Sequence, residues 1–449
     1  MKKVSPKLFQ KLFKRKKVFY MKLEETLYFP EGFLWGTASS AHQAEGNNIH
    51  NDWWAFEQQP GRIKNEHKSG KANNHYELFR SDFKLLKALN NNAHRLGIEW
   101  SRIFPDEDKI NHKEIDHYKK VLDTAKEVGL TVFATTHHFS SPLWFANKGG
   151  FLIEKNLDYF KRYIEIIARE LSPHLEFWNT INEPAVYATM GWLAGEFPPG
   201  HKDIVETLTV MKNIILAHAI AYHGLHEHSP NEVKVGIVKN IPHFVPKDPN
   251  NPEDVKTAQS QDEFFNEYHL RAIAEGVLQM GDKLEEVPSL KGSTDFYGIN
   301  YYMQMICDST KPMTPATARE NELISQMGWG THPQGLFASL FRLKKYGKPI
   351  YITENGIATN DEQWRINYLA LHFKAMHNAI KEGADVRGYF HWTSVDNFEW
   401  AQGWTPKFGI IAFDPTTFKR TVKKGGFFFE EVAGSNSLTQ TILDKYLQG

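Results

Sequence analysis

A chain of 449 residues, 41% hydrophobic and 13% aromatic, holds ample material for a folded core and is not the composition of a disordered protein. Basic and acidic residues balance at 53 each, but eight bases (Lys2, Lys3, Lys7, Lys11, Lys14, Arg15, Lys16 and Lys17) and no acid fall in the first 20 residues. The rest of the chain therefore carries 45 bases against 53 acids, a net −8, which argues against a nucleic-acid-binding face. One cysteine, Cys307, excludes an intramolecular disulfide and a thiolate metal cluster, and fits a reducing cytoplasm. No uninterrupted apolar run reaches the ~18 residues of a membrane span, and the basic start lacks the apolar stretch and cleavage site of a secretory signal.

Residues 1–20 are set apart as a basic N-terminal extension. Leu8, Phe9, Leu12 and Phe13 recur among its lysines at helical spacing and would suit an anionic membrane surface. A disordered tail, or a true start at Met21, is the expectation.

The remainder, 21–449, reads as one domain. Strand-like apolar runs at 33–39, 93–100, 131–139, 175–182, 234–241, 295–302, 349–354 and 386–394 alternate with helical patterns, for instance 76–89, 113–128, 156–171, 205–227 and 361–382. That alternation predicts repeated βα units, and eight strands predict a closed (β/α)8 TIM barrel ringed by the helices. Gly129 and Gly383 stand where left-handed helix caps are needed. The segments that follow strands (46–73, 140–152, 184–201, 242–257 and 303–332) are long and rich in aromatics, proline and glycine, while those returning to strands are mostly short. The C-terminal rim is therefore the binding rim.

Two strands end alike. The run Pro349 to Gly356 stops at Glu354, and Leu175 to Pro184 stops at Glu183. Paired strand-end carboxylates on one barrel rim suit acid/base and nucleophilic work, as in glycoside hydrolysis. Other strand ends carry Gln43 and Glu45, Arg95, His138, Asn182, Asn300 and Tyr302, and Trp392, Glu399 and Trp400. Amide, imidazole, phenol, carboxylate and indole are the groups that grip a sugar's hydroxyls and cover its C–H faces. His137 and His138 could suggest a metal, but neighbouring strand residues face opposite ways and no further ligand spacing accompanies them, so no metal is expected. Trp178, in mid-strand, reads as core; Trp144 and Trp329, on rim loops, could shape the outer part of a binding site.

These motifs carry a resemblance. FLWGTASSAHQAEG at 33–46, HRLGIEWSRIFP at 94–105, TINEP at 180–184, DFYGINYY at 295–302, YITENG at 351–356 and GYFHWTSVDNFEWAQGW at 388–404 resemble the family-one glycoside hydrolases, the β-glucosidase and β-galactosidase group. The resemblance covers nearly everything after Tyr28 and is specific through the order and spacing of the motifs. It implies a barrel enzyme without cofactor, acting on oligosaccharides or on aryl and alkyl β-glycosides with retention. Glu354 would be the nucleophile and Glu183 the acid/base. Gln43, His138, Asn182, Trp392, Glu399 and Trp400 would surround the sugar, Arg95 and Tyr302 would contact the nucleophile, and Asn300 would support the acid/base side. A sugar-binding barrel without catalysis would lack one of the two glutamates, and thioglucosidase relatives carry glutamine in place of the acid/base; both glutamates stand here. Transglycosylation would use the same intermediate. The chain departs from the usual pattern at His94, Leu96, Ser140–Ser141 and beyond Lys424.

Overall fold

The computed structural model describes residues 21–280 and 283–447. The basic extension at 1–20 lies outside the described residues.

Eight parallel strands close a barrel in sequence order: β1 Leu34–Ala38, β2 Ala93–Gly97, β3 Thr131–His137, β4 Phe177–Asn182, β5 Lys234–Asn240, β6 Phe296–Asn300, β7 Ile350–Asn355 and β8 Val386–Trp392. Each predicted strand is present; seven are shortened by a few residues at their ends, and the seventh in order is shifted by one residue, from 349–354 to Ile350–Asn355. The ring contains α1 His75–Ala88, α2 His112–Glu127, α3 Leu157–Leu171, α4 Ile204–His228, α5 Tyr268–Glu275, α6 Pro333–Lys344, α7 Glu362–Lys381 and α8 Lys424–Ser435. Asp361 caps α7, its carboxylate accepting from the N–H of Gln363 and Trp364 at 2.9 and 3.1 Å. Gly129 and Gly383 have φ of 79° and 87°, the left-handed conformation that glycine adopts without strain. By length and composition α4 is apolar enough to span a membrane, but more than half of that stretch is buried in the protein. It is a ring helix whose apolar residues face both the barrel and α3.

The segment after Lys424, unlike the usual pattern in sequence, ties the chain ends together. Leu27–Tyr28 pairs antiparallel with Ser437–Leu438. Asn436 accepts from the indole N–H of Trp35 at 2.9 Å, and Trp35 lies edge-on to Phe373 of α7 and Phe429 of α8.

The lower barrel is filled by rings. Phe133 stacks on Phe177 with centroids 4.3 Å apart, and Phe390, Tyr351 and Phe296 close round them at 4.9 to 5.7 Å from Phe133. Such large side chains fit only because glycine occupies positions beside them. A Cβ on Gly236 would stand 2.4 Å from the Phe296 ring and 2.6 Å from its backbone oxygen.

Above this floor the strands carrying the glutamates lose their strict alternation. Between β6 and β7 the register passes from Ile299 opposite Ile352 to Asn300 opposite Glu354, so β7 holds one extra residue there. β4 does the same against β5, from Asn179 opposite Gly236 to Asn182 opposite Val238. An extra residue re-aims the side chains that follow it. Both bulges lie immediately before the rim carboxylates.

Gly236→Ala is expected to lower stability by about 1–3 kcal/mol, the usual cost of overpacking a filled core. A urea melt should show a lower midpoint with an unchanged slope.

Candidate active site

Arg95, from the middle of β2, is fully buried at the centre of the rim. A buried guanidinium must be paired and hydrogen-bonded. Its Nη1 makes the ion pair with Glu354, its Nη2 donates to Asn182 Oδ1 at 2.6 Å, and its Nε donates to Thr135 Oγ1 at 3.1 Å. Tyr302, just past β6, donates its phenol hydrogen to the other Glu354 oxygen at 2.6 Å.

Glu183 has different company. Asn300 Nδ2 donates to its Oε1 at 2.6 Å, and Asn240 Nδ2 donates to the same oxygen at 3.2 Å. Asn300 is oriented from behind, its Oδ1 accepting from Thr353 Oγ1 at 2.7 Å. Glu183 itself is left-handed, with φ 48° and ψ 62°, and its N–H donates to Val238 O at 2.9 Å. A non-glycine residue in that region is held there against its preference by its surroundings.

The remaining residues join the same network. Asn182 Oδ1 already accepts from Arg95 and Asn300, so its Nδ2 is the donor to His138 Nε2 at 3.1 Å. His138 must then accept at Nε2 and carry its proton on Nδ1. Burial and the nearby Arg95 charge hold this imidazole neutral, well below the usual range. Its ring lies 5.8 Å from Trp392 and 6.1 Å from Trp400, nearly parallel to both. Gln43, on the short helix Ala41–Ala44, donates to Glu399 Oε2 at 3.2 Å and to Phe398 O at 2.9 Å. All eleven residues to which the family resemblance gives a role are buried on this rim.

Three carboxyls therefore share one buried space, and their partners separate them. Burial pushes Glu354 up, while the Arg95 charge and the Tyr302 hydroxyl pull it back. Both contacts favour the ionised form, and burial is the larger, opposing cause. Glu183 is pushed up to about 8, by burial and then by the Glu354 charge, against the pull of Asn300 and Asn240. Glu399 is also pushed up to about 8, by burial and the Glu354 charge. Among the described residues, only Glu354 of the three meets a full positive charge within ion-pairing distance.

Some neighbours were not singled out in the sequence. Asn240 is the clearest, since the fifth strand alone had been given no group and its last residue is this amide. Thr135 and Thr353 are small inward residues whose hydroxyls orient Arg95 and Asn300, a role with no sequence signal of its own. Conversely, Glu45 turns away from the site. It pairs with Arg102 at 2.7 Å and accepts from Tyr118 at 2.8 Å. His137 packs edge-on against Phe151 and Tyr187, as expected of a core histidine, and Trp178 is likewise core. Trp329 lies 5.4 Å from Tyr302, beside the site, whereas Trp144 packs on Trp100 and Tyr159. Among the described residues there is no group of His, Cys, Asp and Glu that could hold a metal ion.

A parallel barrel with carboxyls, an arginine and indoles on its C-terminal rim defines a barrel enzyme for hydroxylated substrates. Comparison with known proteins narrows this. The sequence pattern of Glycosyl hydrolase family 1 matches residues 25–438, and the chain belongs to that family. It is 33% identical over 442 residues to a 1,4-beta-D-glucan glucohydrolase of Thermotoga neapolitana, covering 92% of this chain and 99% of that one. It is 32% identical over 479 residues to a 6-phospho-beta-galactosidase of Leptotrichia buccalis, covering 90% and 98%. A solved beta-glycosidase from Pyrococcus horikoshii superposes with a TM-score of 0.88 at 41% identity, covering 94% of this chain and 99% of that one. The chain is a glycoside hydrolase acting on O-glycosyl bonds.

Replacing Asn240 by leucine removes a hydrogen bond that favours ionised Glu183. The Glu183 carboxyl should then titrate above its wild-type value, which lies near 8. Carbon-13 NMR of labelled glutamate across pH 6–10 checks the direction of the shift.

Proposed function

We propose that the chain is a retaining β-glycosidase that removes terminal, unphosphorylated β-D-glucosyl residues, and also galactosyl or fucosyl residues, from oligosaccharides or aryl and alkyl glycosides. The observation that carries the assignment of roles is the unequal company of the two glutamates. Glu354 touches a guanidinium and a phenol donor, so of the two it ionises first and is the nucleophile. Glu183 touches only neutral amides and feels the charge of Glu354, so it keeps its proton and is the acid.

The reaction follows from these states. Glu354 attacks the anomeric carbon while Glu183 gives its proton to the departing glycosidic oxygen, so the aglycone leaves as an alcohol and the sugar is bound as an ester. Losing the Glu354 charge lowers the affinity of Glu183 for protons, which suits its return as a base. It takes a proton from water, the water oxygen attacks the same carbon, and Glu354 departs with net retention. Asn182, held by Arg95 and Asn300, has its amide where a 2-hydroxyl would be met, and Trp392 and Trp400 offer faces to the ring. The lone, buried Cys307 fits a cytoplasmic location.

Glu354→Ala should abolish turnover, and azide or formate should restore it with inverted product by filling the vacated space. Glu183→Ala should instead retain glycosylation of substrates whose leaving group needs no proton. Identical behaviour of the two variants would overturn the assignment; product stereochemistry by NMR is the readout.

Glu399 decides the phosphate question. Sugar hydroxyls donating to it would favour its ionised form, and each charge-assisted bond is worth about 1.5–3 kcal/mol. A 6-phosphate at that place brings no donor to favour that ionised form, and against an ionised Glu399 it brings like charge. Segment 399–406 contains no lysine or arginine to offset it. An aryl 6-phospho-β-glucoside should therefore be cleaved far more slowly than the unphosphorylated compound, in contrast to what the name of the Leptotrichia relative states for that enzyme. Equal kcat/KM for the two would sink this part of the reading.

A further inference from the structure

A second cleft, of 310 Å³, opens on the protein between helix Asp52–Glu57, helix Leu143–Asn147 and the segment 184–201. None of the eleven rim residues lines it. Phe56, Tyr187, Trp192 and Pro198 give it apolar walls, Gln59, Asn147 and His201 are exposed around it, and neither lysine nor arginine lines it.

The cleft holds a carboxyl with one oxygen unused. Asp52 is only 7% exposed. Its Oδ1 accepts from the N–H of Trp53 and of Ser141, both at 2.9 Å, but Oδ2 makes no hydrogen bond among the described residues. Asp52 lines the cleft, so what meets this oxygen is whatever enters there. Burial, opposed by the Ser141 N–H and assisted by Glu99, pushes Asp52 up to about 8. Near neutrality the group therefore stands uncharged and can both give and take a hydrogen bond.

This inventory selects its ligand. With neither lysine nor arginine lining it, the cleft offers an anion no fixed positive charge. An organic cation would need Asp52 ionised, which burial opposes. A neutral ring bearing hydroxyls gives the carboxyl both a donor and an acceptor and sets its C–H groups against the apolar walls. We infer that this cleft is a second, non-catalytic site for one pyranose ring, with Asp52 Oδ2 as its main hydrogen-bonding group. The inference goes beyond the proposed function and does not rest on it. The site also neighbours the first: Trp53 follows Asp52, and its ring lies 4.6 Å from that of Trp400.

The test is calorimetric titration of the full-length enzyme with glucose, in the presence and absence of saturating glucoimidazole. Glucoimidazole should remove one class of glucose binding and leave a second. That remaining binding should weaken at least about fivefold in Asp52→Asn, roughly the loss of one hydrogen bond. Asparagine keeps the Oδ1 acceptor for Trp53 and Ser141 and changes only the free oxygen. Ala146→Trp, which fills the cleft from a half-buried position on helix Leu143–Asn147, should abolish it. Failure of glucoimidazole itself to bind would count against the catalytic reading, while a glucose site lost in both variants would still support the second cleft. The inference is overturned if no glucose binds beside glucoimidazole, if either variant binds it like the wild type, or if choline is preferred to glucose.

Discussion

A guanidinium with no access to water has to be satisfied entirely by protein, and the rim of this barrel is arranged around that demand. Arg95 spends its donors on Glu354, Asn182 and Thr135, which come from three different strands. Breaking such a buried pair by removing one partner typically costs about 3–5 kcal/mol, because the other charge is left uncompensated. The same contacts orient the site: with Asn182 fixed by Arg95, its remaining N–H must face His138. Electrostatic order follows too, since the carboxyl beside Arg95 ionises first and its charge then raises the other two.

The barrel contributes position more than chemistry. Packed phenylalanines fill its lower half, so the polar layer above them rests on a close-packed floor with little room to relax. The bulges in β4 and β7 then break the two-residue period at the height of Asn182 and Glu354. A regular strand would have sent successive residues to opposite faces.

Much of this was legible in the residues. Eight apolar runs with helical patterns between them fixed the fold class, because period and turn chemistry are local properties. Glu183 and Glu354 stood out because each ends a buried run before a turn or a proline. Glu45 satisfies the same local description and faces outward to Arg102, a partner 57 residues away that no local pattern reveals. Asn240 went unremarked for the opposite reason: an amide at a strand end is unexceptional until Glu183 is seen within hydrogen-bonding reach. The length of α4 was legible, 205–227 against the observed Ile204–His228, but its orientation was not. Its apolar residues run round the helix because it is buried on more than one side, so its amphipathic signal is weak although the helix is long.

The contrast between the two glutamates makes the point in its strongest form. Both end a β-strand, both are buried, and both accept a hydrogen bond from a residue of the sixth strand or just beyond it. What separates them is one formal charge, contributed by β2. Two carboxyls in one water-poor space cannot both ionise cheaply, so a single nearby cation is enough to decide which one does. The division of labour therefore belongs to neither glutamate's own sequence context. It belongs to the barrel closure that brings residue 95 beside residue 354 and leaves residue 183 with amides.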